Sequence, residues 1–140
     1  MPFVLDNSVV TAWFIESQAT DYADAVAHRM RSDRAHVPAL WELEFTNVLR
    51  TACVRGRLEA ARAQAVAARI AQLPLEVDRQ GAPPRELLGL ALRFGLTAYD
   101  SAYLELALRL SLPIATQDEP LRDAALASGV GWVDAAAQDG

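Results

Sequence analysis

The chain has 140 residues, of which 52% are apolar, and a formal net charge of −5 from 18 acids and 13 bases. That length predicts one domain over 1–140, and the apolar share excludes wholesale disorder. All the bases are arginine, which excludes chemistry that needs an internal lysine, such as a Walker phosphate loop or a Schiff base, while the acidic balance excludes a surface coated in positive charge.

The first apolar run, Phe3-Val4-Leu5, reads as a buried strand, and Asp6-Asn7-Ser8 behind it are turn and cap residues. Val9 to Phe14 fits a short helix. Thr20 is placed to cap a second helix, Asp21 to about Arg31, with acids in its first turn and arginines in its last. His36-Val37 before Pro38 is a brief strand. A helix from about Leu40 to Arg55 carries Trp41, Phe45, Val48 and Ala52 as its apolar stripe, with Gly56 in the C-cap region. Glu59 to Leu73 is alanine-rich and helical. Leu75 to Val77 is a third strand. A Pro-rich loop opens a helix from Arg85 to Phe94, ended by Gly95. Thr97 opens the next helix, to about Leu110. Pro113 to Thr116 is a strand, Glu119 to Ala127 a helix stopped by Gly129, and Val130 to Val133 a last strand.

Short apolar strands alternating with helices predict an α/β domain whose small parallel sheet is covered on both faces. Ligands of such sheets bind at the carboxyl ends of the strands. Asp6 and Asp118 each follow a predicted strand and project into that crevice. The single cysteine, Cys53, excludes an intrachain disulfide and zinc sites built on several cysteines. No targeting signal is visible, and no apolar run approaches the ~18 residues a membrane span needs. A cytoplasmic protein with no membrane contact is the expectation.

Some acids sit where a surface acid should not. At about 100° per residue, Tyr99, Tyr103, Leu106 and Leu110 mark an apolar arc on their helix. Asp100 continues that arc between Ala107 and Leu104, away from the polar positions Glu105 and Arg109. An acid facing a core needs a cation, a metal or dense hydrogen bonding, although Thr97-x-x-Asp100 also has capping-box spacing. Asp6 and Asp118 fit helix caps as well as they fit a site. Glu42 and Glu44 lie on opposite borders of one helix face, and the wheel does not choose between them. Several carboxylates converging above a sheet would repel one another and need a cation. Oxygen ligands without a Cys or His cluster select Mg²⁺ or Mn²⁺, the usual equipment for phosphodiester hydrolysis.

Four segments occur in order: Val4-Leu-Asp6-Asn-Ser-Val-Val, Trp41-Glu-Leu-Glu44-Phe-Thr-Asn47-Val-Leu, Leu96-Thr-Ala-Tyr-Asp100-Ser-Ala-Tyr-Leu-Glu-Leu-Ala, and Leu112-Pro-Ile-Ala-Thr116-Gln-Asp118. Together they resemble a PIN domain, more narrowly a VapC-type toxin of a bacterial toxin–antitoxin pair. The resemblance covers essentially the whole chain. It implies a three-layer α/β/α fold with a parallel sheet of about five strands, and a Mg²⁺- or Mn²⁺-dependent endoribonuclease. Asp6, Glu44, Asp100 and Asp118 match the family's acidic positions. Glu44 is preferred to Glu42 because the family acid lies three residues before an asparagine, here Asn47. Ser8 and Thr116 match small hydroxyl residues that support the site, whereas Asn7 departs from the commoner small residue there. The resemblance implies hydrolysis by a metal-activated water, with Asp6, Asp100 and Asp118 on the metal and Glu44 handling the water. It also implies a 5′-phosphate and a 3′-hydroxyl as products, a small antitoxin that blocks the site, and a homodimer.

An acidic protein must still hold a polyanion, and arginine is its only resource. Arg50, Arg55, Arg57, Arg62 and Arg69 fall within one helical hairpin, with Arg55, Arg62 and Arg69 at seven-residue steps, which reads as a phosphate-contacting arm or as an ordinary solvated face. His28 and His36 are isolated and read as non-catalytic. The rival enzyme class is an α/β phosphatase or phosphotransfer domain, but Asp6 is not followed by the Asp-x-Asp of one such class, and the late lysine of another is missing. The rival without catalysis is a PIN-like interaction module whose acids are structural.

Overall fold

The computed structural model describes residues 1–135; the remaining part of the expected 1–140 domain, 136–140, lies outside them. The strands are β1 (Phe3–Leu5), β2 (Ala35–Pro38), β3 (Leu75–Asp78) and β4 (Ile114–Ala115). The helices are α1 (Asn7–Phe14), α2 (Asp21–Arg29), α3 (Leu40–Val54), α4 (Ala60–Ile70), α5 (Pro84–Phe94), α6 (Ala98–Leu110) and α7 (Glu119–Ser128), with one 3₁₀ turn at Glu16–Gln18. The α/β expectation is met.

All sheet pairings are parallel, in the order β3-β2-β1-β4. Val4 pairs with His36 on one side and Ile114 on the other. β1 is therefore buried along its edges and faces, which is why Phe3, Val4 and Leu5 are apolar without alternation and fully buried. Parallel neighbours need crossovers, and crossovers are right-handed. The chain moves from β1 out to β3 and then returns past β1 to β4, so right-handed crossovers put α1–α4 on one face and α5–α7 on the other. α6 packs directly on β1, β2 and β4, with α5 and α7 beside it.

The expected fifth strand is reduced to one parallel bridge, Ile114 with Trp132. Gly131 explains it. Its N–H bonds back to the Ala125 carbonyl at 3.0 Å to close the end of α7, and its φ of 91° breaks an extended run. Only two ladder bonds remain, the Ile114 N–H to the Gly131 carbonyl and the Val133 N–H to the Ile114 carbonyl. The Trp132 ring stacks on Tyr22 at 5.1 Å, and its indole N–H bonds to the Thr116 carbonyl at 2.9 Å, so this segment still braces the end of β4.

The apolar arc expected on α6 is rotated. Tyr99 is 63% exposed and Leu110 is 38% exposed, whereas Glu105 is buried with Tyr103, Leu104 and Leu106. A wheel centred on the aromatics misses that α6 is sandwiched between the sheet and α5, so that more than one of its faces is covered. Glu105 tolerates burial because Arg109 pairs with it through Nε at 2.9 Å and Nη2 at 2.8 Å, and grips Asp78 at the end of β3 at 3.0 and 2.8 Å.

Candidate active site

The sheet grows from β1 toward β2 on one side and gains β4 on the other. The carboxyl ends of β1 and β4 thus form a switch point, where the diverging connections leave a crevice. Asp6 follows β1 directly, and its N–H bonds to the Ala115 carbonyl at 3.0 Å. Asp6 is both the N-cap of α1 and a buried acid. Ser8 Oγ donates to its Oδ2 at 2.6 Å, Thr116 Oγ1 at 2.8 Å and the Ser8 N–H at 3.4 Å. All three bonds fall on Oδ2, leaving Oδ1 without a protein donor among the described residues. Burial pushes the Asp6 carboxyl up against these hydrogen bonds, and the Asp118 charge adds to the rise.

Asp118 follows β4 and caps α7 through a 3.0 Å bond from the Leu121 N–H, while its own N–H bonds to Thr116 Oγ1 at 3.0 Å. The Thr116 hydroxyl therefore links the two aspartates. Glu44 leaves the second turn of α3 half-buried and accepts from the Tyr103 hydroxyl at 2.6 Å. Burial raises its pKa, as does the Asp6 charge. Glu42, the other candidate on this helix, is exposed and pairs with Arg79 at 3.0 Å. Asp100 lies in the first turn of α6, with its N–H on the Thr97 hydroxyl at 3.1 Å. The Thr97 half of the capping box therefore forms, and the Asp100 carboxyl meets the other acids. Burial first, then the charge of Asp118, followed by Asp6 and Glu44, pushes it up from the ordinary 3.8 to about 7.

The four candidate acids thus come from four elements and act electrostatically on one another. Among the described residues, no three Asp, Glu, His or Cys side chains stand close enough together to hold a metal ion as they are. The Asn7 Oδ1 atom, next to Asp6, is buried without a hydrogen-bond partner, an orphan at the rim of the site.

The supporting residues divide. Ser8 and Thr116 bond Asp6 directly. Asn47 is exposed and lines a groove beside the site together with Arg55. Arg62 and Arg69 lie elsewhere, around an apolar cavity of about 390 Å³ with Trp13, Phe14 and Met30. Sequence reasoning missed two residues. Tyr103 reads as core, yet its hydroxyl holds Glu44; its position one turn after Asp100 was the available signal. Gln117 reads as a strand end, yet its N–H bonds to Ser8 Oγ at 3.1 Å, its Nε2 to the Ser8 carbonyl at 3.2 Å, and its Oε1 accepts from Thr20 at 2.5 Å. It ties the end of β4 to both α1 and α2, and no spacing announces it.

Known proteins are similar to this chain in sequence and in fold. The PIN domain family model matches residues 3–126. Ribonuclease VapC12 of Mycobacterium tuberculosis, in the CDC 1551 and H37Rv strains alike, is 31% identical over 115 residues, covering 82% of this chain and 85% of the relative. The crystal structure of PAE2754 from Pyrobaculum aerophilum superposes with a TM-score of 0.74 at 22% identity, covering 99% of this chain and 92% of that one, a likeness of fold. The chain belongs to the PIN domain family and is a VapC-type member of it.

Proposed function

We propose that this chain is a Mg²⁺- or Mn²⁺-dependent endoribonuclease, the toxin of a toxin–antitoxin pair. One observation carries the reading: four acids from four elements converge on the sheet's switch point, and none is paired with an arginine among the described residues. A relative whose name is a ribonuclease supports RNA as substrate.

The donor set suits a hard divalent cation. It contains oxygen only, with neither imidazole nor thiolate, and Asp6 keeps Oδ1 available. Mg²⁺ usually takes one or two carboxylates and keeps several waters, so a spread set of acids fits it better than a tight cage would. Asp6, Asp100 and Asp118 would hold the ion, directly or through water. When bound, it would activate water and offset the charge of the phosphate. Asp6 is fixed by Ser8 and Thr116, so its orientation does not depend on substrate. Glu44 is oriented by Tyr103, and our reading gives it the proton of the attacking water. A bond then forms from water oxygen to phosphorus while the bond from phosphorus to the 3′ oxygen breaks, and that oxygen takes up a proton. The products are a 5′-phosphate and a 3′-hydroxyl.

The same reading includes a cytoplasmic setting, a homodimer, and a small antitoxin that places an arginine among the unpaired acids. No helix among the described residues is long and apolar enough to cross a membrane. The test is cleavage of end-labelled RNA by purified protein with Mg²⁺, with Mn²⁺ and with chelator. Asp6→Asn and Asp100→Asn should each lose at least about 100-fold in rate while keeping the wild-type circular dichroism spectrum. Undiminished cleavage by Asp100→Asn, or cleavage indifferent to chelator, overturns the proposal. Light scattering of the purified chain checks the homodimer.

A further inference from the structure

Beside the acids runs a groove of about 600 Å³ between α1, the C-terminal half of α3 and the segment after β4. Ser8 and Asp118 of the site line it, and so do Arg55 and Arg57 at the C-terminal end of α3. The rest of the lining mixes polar side chains, Asn47 and Thr51 among them, with the apolar Ile15, Val48 and Ala52, and has no aromatic ring.

The backbone that carries the two arginines is set by the way α3 ends. Gly56 adopts a left-handed φ of 71°. Its N–H bonds to the Cys53 carbonyl at 3.0 Å, and the Arg57 N–H reaches back to the Ala52 carbonyl at 2.8 Å. This wrapped helix end fixes the residues on both sides of the glycine. Among the described residues five arginines pair with carboxylates: Arg29, Arg34, Arg79, Arg109 and Arg122. Arg55 and Arg57 are exposed and have no carboxylate partner among the described residues.

We infer that this groove is a substrate subsite continuing the acidic site: Arg55 and Arg57 hold a phosphate neighbouring the scissile one, and the Asn47 amide and Thr51 hydroxyl meet base or sugar edges. The inference rests on the reading that RNA is the ligand, and it specifies a single-stranded flank. A groove lined by guanidinium groups suits a phosphate. Amide and hydroxyl groups in the lining can bond the Watson–Crick edges that unpaired nucleotides alone present. The absence of aromatic rings sets this subsite apart from a stacking platform. Of the arginines of the helical hairpin, Arg55 and Arg57 line this groove, and Arg57 also lines a neighbouring cavity with Arg62.

The test is fluorescence anisotropy of a labelled single-stranded RNA oligonucleotide across a salt series. It uses the Asp100→Asn protein so that no cleavage intervenes. Adding Arg55→Gln and Arg57→Gln should weaken binding about tenfold and lower the slope of log K against log salt by about 0.7 for each phosphate no longer neutralised. The control is Arg85→Gln with Arg93→Gln on α5, which should change neither. An unchanged slope, or an equal loss in the control, overturns the subsite. Cleavage by the unsubstituted chain is assayed separately. RNA binding that depends on Arg55 and Arg57 without any cleavage keeps the subsite and sinks the nuclease reading. Metal-dependent cleavage with an unchanged slope sinks the subsite alone.

Discussion

Replacing Arg109 by methionine tests whether the packing of α6 rests on a buried charge cluster. Arg109 makes two bonds to Glu105 and two to Asp78, all between 2.8 and 3.0 Å. The Glu105 side chain is 9% exposed and the Asp78 side chain 19% exposed. Methionine keeps the stem and removes every bond, leaving a buried carboxylate without a cation. Breaking a fully buried pair costs about 3–5 kcal/mol; solvent reaches Asp78 and part of the guanidinium, so about 2–3 kcal/mol is expected here. For a chain of this size that lowers Tm by about 6–10 °C. Urea denaturation at pH 7, with an unchanged slope, measures it. The pH dependence gives a second check. Hydrogen bonds from Arg109 hold the Asp78 carboxyl below its usual range. A depressed carboxyl pKa adds stability that is fully present above the unfolded value, near 4, and lost as pH falls through the folded one. The gap between wild type and Arg109→Met should therefore shrink below about pH 4. A loss under about 0.5 kcal/mol at pH 7, or a gap as wide at pH 3, refutes the assignment.

Three further outcomes are expected. Asp100→Asn should raise the Tm of chelator-treated protein at pH 8 by a few degrees, because it removes one charge from a mutually repelling set; a lowered Tm in the melt would count against that repulsion. Tyr103→Phe should reduce kcat about tenfold with KM little changed, since it frees Glu44 without touching substrate; steady-state kinetics on a defined RNA decides. Thr116→Val removes the hydroxyl that bonds both Asp6 and the Asp118 N–H, and should cost about 1–3 kcal/mol in urea denaturation as well as activity; a neutral substitution would mean the network does not hold Asp6.

The elements were legible where local chemistry dictates them. Thr20, Thr97 and Asp118 cap the helices their positions announce, and Gly95 and Gly129 end theirs in left-handed conformations. β1 was visible because a strand with no solvent face has no reason to alternate. The failures have one cause, tertiary context. Gly131 hands its N–H to α7 and so empties the fifth strand. Glu105 looks like a solvent position until Asp78, distant in sequence, brings a second acid to Arg109. For the site, Asp6 and Asp118 follow from strand ends and parallel order. Glu44 against Glu42 does not, because both border the same helix face; what separates them is the Tyr103 hydroxyl on one side and Arg79 on the other. Gln117 bonds partners about 100 residues earlier in the chain, and no local pattern encodes such a contact.

The structure holds acids away from water in two contrasting ways, and the contrast separates a site from a scaffold. Asp78 and Glu105 share a guanidinium, and Asp33 sits between Arg29 and the N-terminal ammonium at 2.8 and 2.6 Å. In both clusters opposite charge is supplied by the chain, and the carboxyl pKa of Asp33 and of Asp78 is lowered. Asp6 and Glu44 receive only hydroxyl and amide donors, the Asp100 carboxyl meets that of Asp118, and Asp6, Glu44 and Asp100 stand within one another's fields and are raised. If these acids were merely helix caps, nothing would require them to converge; a cap acid is as effective on an exposed helix end, where it repels no neighbour. Folding draws them together against their charges and places no arginine among them, although the chain has thirteen. Arg55 and Arg57 line the adjoining groove rather than pairing with these acids among the described residues, and a divalent ion of the kind proposed above would supply the opposite charge.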